Sequence, residues 1–139
     1  MSIVVAYEAT PEADAALEAG IAEAALRGLP LHLVTYVGGA VVEGPGEAKV
    51  ARTQHDTAEQ ALAAAVARAS AAGVSASSRI VGGIDPAGAI VDFSREVGAQ
   101  LVVTGMRRRS AVGKLLMGST SRDVIMAADC PVLAVKTPA

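Results

Sequence analysis

Leu-Val-Val-Thr-Gly-Met-Arg-Arg-Arg-Ser-Ala-Val-Gly-Lys-Leu-Leu-Met-Gly-Ser-Thr, residues 101–120, joins a β-type apolar run to a helical pattern through a basic loop that carries glycines. The apolar run 101–104 ends at Gly105. Gly118-Ser119-Thr120 opens the next helix, with Asp123 three residues after Thr120 in the manner of a capping box. Strand, glycine loop and helix in this order suit a phosphate. Glycines let backbone N–H groups approach an anion closely, and a helix N-terminus adds unpaired donors and a favourable dipole. The stretch therefore points to a nucleotide as ligand and to an α/β fold.

Outward from this stretch the periodicity alternates between strand-like and helix-like runs. Residues 2–7 form a continuous apolar run, as expected of a parallel strand covered on both faces. Thr10-Pro11-Glu12 supplies an N-cap, a proline at the first helical position and an early acid, ahead of an alanine- and leucine-rich helix running to Gly28. The second strand is 31–37. Residues 38–46, with several glycines and Pro45, read as a flexible loop before a helix over 47–72 that stops at Gly73. Residues 74–81, interspersed with Ser75, Ser77, Ser78 and Arg79, suit an exposed edge strand. Asp85-Pro86 starts a helix that closes at Gly98, a further helix ends near Ala128, and 131–136 is the last strand. The pattern predicts an α/β, Rossmann-like five-stranded parallel sheet, strand order 3-2-1-4-5, with helices on both faces and right-handed crossovers.

Composition agrees with one domain over residues 1–139. Apolar residues make up 52% of the chain, enough for a core at this length. The formal charge of −2 argues against general nucleic-acid binding, since the basic residues concentrate only in 107–114. A single cysteine, Cys130, forms no intramolecular disulfide, and the chain opens directly into a strand pattern without the shape of a signal peptide. These features imply a cytoplasmic protein. The apolar stretch 13–42 is interrupted by Asp14, Glu18, Glu23 and Arg27, so no membrane span is expected.

Neither common phosphate fingerprint fits the 101–120 stretch. A P-loop would need glycine at Arg108 and Ser or Thr at Leu115, and no Gly-x-Gly-x-x-Gly follows the first strand. The spacing present is Gly105, two residues, Arg108, nine residues, then Gly118-Ser119. It resembles the ATP-binding loop of the universal stress protein family, which carries glycine at all three positions. Similarity extends along almost the whole chain: Ile-Val-Val-Ala-Tyr-Glu at 3–8, Leu31-His32-Leu33-Val34, Asp85-Pro86 and Cys130-Pro131-Val132-Leu133 match family landmarks. Two positions depart, Glu8 for the usual Asp and Arg108 for the middle glycine.

Independently of the resemblance, an open parallel sheet binds ligands outside the carboxyl ends of its strands where the order reverses. With order 3-2-1-4-5 that crevice lies between the first and fourth strands, and Glu8 faces the Gly105 loop across it. The resemblance then implies Ala6, Tyr7 and Glu8 near base and ribose, Tyr36 at the adenine, and Gly105, Arg108, Gly118, Ser119 and Thr120 around the phosphates. It implies ATP, ADP or AMP, with or without Mg2+, and a homodimer through the last strand that regulates a protein partner in a stress response.

Plainer readings stand beside these. Gly105 and Gly118 also suit turns, Ser119 and Thr120 are ordinary N-caps, Glu8 suits a solvated loop, and Arg107, Arg108, Arg109 and Lys114 suit an exposed charged loop. Cys130 reads as a small buried hydrophobe, His32 as packed, and His55 as exposed without a partner at metal spacing. No catalytic residue and no metal ligand is legible. Arg108 either clamps phosphates or plugs the cradle, so three functions remain: a nucleotide-binding regulator, a nucleotide-free dimeric scaffold and a slow ATP hydrolase.

Overall fold

The computed structural model describes residues 1–8, 10–38, 44–108 and 115–137, with residues 107, 108, 115 and 116 described in backbone only. The elements run β1 (Ser2–Ala6), α1 (Pro11–Arg27), β2 (Leu31–Tyr36), α2 (Pro45–Ala71), β3 (Ala76–Val81), α3 (Pro86–Glu96), β4 (Ala99–Arg108), β5 (Leu115–Leu116), α4 (Ser119–Ala127) and β6 (Val132–Lys136). Parallel ladders order the main sheet β3-β2-β1-β4-β6, which is the expected 3-2-1-4-5 order with β6 as the fifth parallel strand. β1 is central, with Ile3 opposite Leu31 on one side and Leu101 on the other.

Alternation along the central strands explains why they read as continuous apolar runs. Ile3, Val5, Leu31, Leu33, Leu101 and Val103 pack in one layer with Leu17 and Ile21 of α1 and Leu62, Ala65 and Ala69 of α2. Val4, Val34 and Val102 point to the other face, against Ile90, Val91 and Phe93 of α3 and Val124 of α4. Both faces are buried, so neither can be polar. β3 is the exposed edge that its serines imply, with Ser77, Ser78 and Arg79 on the surface.

Helix starts follow their sequence signals at α1 and α3. Thr10 Oγ1 accepts from the Ala13 N–H at 3.2 Å, and Asp85 Oδ1 accepts from the Gly88 N–H at 3.1 Å. α4 differs from expectation. Gly118 is its N-cap in extended conformation with no side-chain cap, so Thr120 is the second helical residue and forms no capping box with Asp123. The helix begins a residue early because the Arg122 N–H already bonds the Gly118 carbonyl at 3.0 Å.

β4 also departs from expectation. Instead of ending at Gly105 it continues to Arg108, where Arg107 and Arg108 pair with Leu116 and Leu115 of the short antiparallel β5. Ladder bonds to β6, which include Gly105 opposite Val135 and Met106 opposite Lys136, carry the strand through the glycine. α2 starts at Pro45, two residues before the expected Glu47. Of the expected flexible loop, residues 39–43 lie outside the described residues, as do Arg109 and Lys114. Among the described residues, no helix is long and apolar enough to cross a membrane.

Candidate nucleotide site

The carboxyl ends of β1, β2 and β4 and the N-termini of α1, α3 and α4 enclose a cavity of about 260 Å3. Its lining comes from Ala6, Tyr7 and Glu8 after β1, Val34 and Tyr36 of β2, and Thr104 and Gly105 of β4. Thr10, Glu12 and Ala13 line it from α1, Pro86 and Ile90 from α3, and Gly118, Ser119, Thr120, Ser121 and Val124 from α4. Ala6, Tyr7, Glu8, Tyr36, Gly105, Gly118, Ser119 and Thr120, distant in sequence, are thus neighbours in space. Arg108 is in the outer part of β4, and its side chain lies outside the described residues.

Three helix N-termini facing one cavity give it a positive field, because each carries roughly half a unit charge on unpaired N–H groups. They are not equivalent. Thr10 and Asp85 cap α1 and α3, and Glu12 and Asp14 add acid to the first turn of α1. α4 has neither a side-chain cap nor an acid in its first turn, so its N–H groups are the ones available to an external anion.

Around the β1 and β2 ends the polar atoms are largely engaged. Tyr7 is buried, its hydroxyl donates to Asp14 Oδ1 at 3.2 Å, and its carbonyl accepts from the Thr35 hydroxyl. Burial first, and the Asp14 carboxylate second, push the Tyr7 phenol up from its ordinary value, so it stays neutral and donating. Asp14 also meets Arg68 of α2 at 3.5 Å, which ties the rim of the cavity to the second helix. The Tyr36 hydroxyl donates to the Gly83 carbonyl. Glu8 is exposed and its carboxylate has no partner among the described residues, leaving it able to accept from a ligand hydroxyl.

Gly105 and Gly118 answer to different constraints. A Cβ on Gly105 would collide with the Glu12 carbonyl group, 2.7 Å from its carbon, so the glycine lets β4 pass the start of α1. Gly118 has φ −64° and ψ 158°, open to any residue, and a Cβ there would meet nothing within 4 Å. Arg108 likewise needs no left-handed backbone: it is an extended strand residue opposite Leu115, and among the described residues no non-glycine has positive φ.

The similarity of this molecule to known proteins decides its family. A model of the "Universal stress protein family" matches residues 1–136. The chain belongs to the universal stress protein family. Among family members, a universal stress protein of Mycolicibacterium smegmatis is 34% identical over 136 residues, covering 96% of this chain and 96% of that one. The universal stress protein structure from Archaeoglobus fulgidus superposes with a TM-score of 0.80 at 32% identity, covering 98% of each chain. A structure from the same organism in complex with dAMP has a TM-score of 0.76 at 30% identity, again over 98% of each chain.

Several lining residues of this family member escape a sequence reading. Thr104 is the polar end of an otherwise apolar strand, and Ser121 lies three residues past Gly118; both signals are present but unspecific. Thr10 and Pro86 read as helix starts, and their contribution to the cavity emerges only once the sheet brings those starts together. Away from the cavity, His55 has the partners the sequence reading denied it. Helical spacing brings its Nδ1 within 3.7 Å of Glu59, and with Asp56 the three exposed groups have ligand atoms within 4.8 Å of one another. Cys130 is half-buried rather than fully packed, and burial pushes its thiol up from the ordinary value.

Proposed function

We propose that this universal stress protein binds an adenine nucleotide in the cavity between β1 and β4 and acts as a nucleotide-dependent regulator. The observation that carries the reading is the uncapped N-terminus of α4 facing Glu8 across the crevice. An anionic tail fits at one end and a hydroxyl-bearing sugar at the other. The A. fulgidus relative in complex with dAMP supports the ligand class. In this reading Ala6, Tyr7 and Glu8 approach base and ribose and Tyr36 the adenine. Gly105, Gly118, Ser119 and Thr120 surround the phosphates, which Arg108 clamps. ATP, ADP and AMP are the candidates, with Mg2+ a companion of the longer phosphate chains.

The bound nucleotide acts by changing a protein contact rather than by turning over, since the described lining offers hydrogen-bonding groups and carboxylates in place of a nucleophile paired with a base. The contact runs through a homodimer. β6 pairs with β4 on one side only, and its outer edge of N–H and C=O groups has no strand partner among the described residues. Two such edges satisfy one another. Native mass spectrometry of freshly purified protein, before and after added ATP, tests both statements: a dimer that gains nucleotide mass is expected. A protein that gains none at saturating ATP acts instead as a nucleotide-free scaffold.

A further inference from the structure

We infer that Thr104 fixes the direction of the Ser121 hydroxyl, so that the cavity floor presents an O–H donor to an acceptor atom of the ligand, a part best filled by a phosphate oxygen. The inference rests on the nucleotide reading and assigns the site's selectivity to a residue pair outside the glycine loop.

Thr104 is near the middle of β4 and Ser121 is the third residue of α4; their hydroxyl oxygens are 2.8 Å apart and both residues line the cavity. By distance alone either oxygen is the donor. Burial breaks the tie. Thr104 is only 2% exposed, and Ser121 is the sole partner of its hydroxyl among the described residues. Were Ser121 the donor, the Thr104 hydrogen would be buried without an acceptor, a heavier penalty than any a partly exposed hydroxyl incurs. Thr104 therefore donates, Ser121 accepts, and the Ser121 hydrogen is turned into the cavity. No polar side-chain atom that is buried in the described structure then lacks a partner.

The arrangement has two consequences. The same bond ties the first turn of α4 to β4, which holds the uncapped N–H groups where a ligand meets them. It also polarises Ser121, because a hydroxyl that accepts a hydrogen bond donates a stronger one. The groups of this corner held in a fixed direction, the backbone N–H groups at the start of α4 and the Ser121 O–H, then donate. A ribose hydroxyl, which must donate as well as accept, is matched less well there than an oxygen of a phosphate.

Calorimetric titration of ATP, adenosine and inorganic tripolyphosphate into the parent, Thr104→Val, Thr104→Ser, Ser121→Ala and the Thr104→Val/Ser121→Ala double variant tests the assignment. Thr104→Val should weaken ATP and tripolyphosphate roughly tenfold, because the Ser121 hydroxyl is no longer directed at the phosphate, and leave adenosine unchanged. Thr104→Ser should bind like the parent, and Thr104→Val should cost nothing further in the Ser121→Ala background. Parent-like ATP binding by Thr104→Val, an equal loss for adenosine, or additive losses in the double variant would each overturn the inference. If circular dichroism shows Thr104→Val unfolded, Thr104→Ala removes the donor without adding volume and is judged by the same outcomes. A parent that binds tripolyphosphate but no adenine ligand refutes the nucleotide reading while the tripolyphosphate series still decides the role of Thr104. A parent that binds neither refutes both.

Discussion

A methyl group added to Gly105 would press on the carbonyl of Glu12, whereas one added to Gly118 would meet nothing within 4 Å. Gly105→Ala should therefore lower stability in urea unfolding by about 1–3 kcal/mol, the usual penalty of overpacking. Gly118→Ala should change it by less than about 0.5 kcal/mol, as for an unconstrained surface position. With a nucleotide the order should reverse: Gly118→Val is expected to keep the fold, by circular dichroism, and to lose ATP by calorimetry, because its side chain would occupy the space proposed for the anion. At Glu8 the expected losses are small. Gln retains a hydrogen-bonding oxygen and should bind almost as well as the parent, and Ala should bind more weakly by roughly 1 kcal/mol. Arg108→Ala should weaken ATP more than AMP, and tighter ATP binding by Arg108→Gly than by the parent would show Arg108 to be a plug. The spacing of Gly105 and Gly118 was legible in the sequence, but their separate reasons were not, since the Glu12 carbonyl that forbids a side chain at Gly105 is more than ninety residues away in the chain.

Among the elements, β2 and β3 share a small polar cluster outside the core. His32 Nδ1 is 2.8 Å from Ser77 Oγ, and its ring meets Phe93 edge-on at 5.9 Å. Arg79 stacks over the same Phe93, 4.8 Å from its centroid, and pairs with Glu96 at 2.7 Å. Burial, followed by the Arg79 charge, lowers the His32 pKa below its ordinary value. The unfolded chain then takes up the proton first on acidification. Stability should be unaffected above the ordinary histidine range near pH 6.5, fall as pH drops from there toward the folded pKa, and level off below it. Urea unfolding across this range should show that slope in the parent and lose it in His32→Gln. A fall of equal size in both would place the titration elsewhere. The apolar strand around His32 suggests a packed ring, and the structure leaves it half-buried with its ring edge-on to Phe93. β5 was not legible in the sequence, since a strand of Leu115–Leu116 is too short to express any period. The missing cap of α4 was not legible either: Thr120 and Asp123 have a capping spacing, and only the backbone shows that the helix has already begun.

At the scale of the whole molecule, β6 as a one-sided edge predicts a mass. Light scattering in the micromolar range should give twice the chain mass, and a monomer mass independent of concentration would exclude the proposed pairing. The parallel order was readable because each strand of the central three is apolar on both faces and each crossover carries a helix. That same order has a cost during synthesis. β1 is the middle strand, yet the neighbour on one of its sides, β4, is made about 100 residues later, roughly 5–20 s at ordinary rates of translation. Through that interval the Ile3–Val4–Val5 segment, wholly buried in the finished sheet, has at most β2 beside it. Yield in the cell should therefore track how fast the ribosome reaches β4, and synonymous codons that slow translation between β2 and β4 should raise the insoluble fraction without altering the purified protein at all.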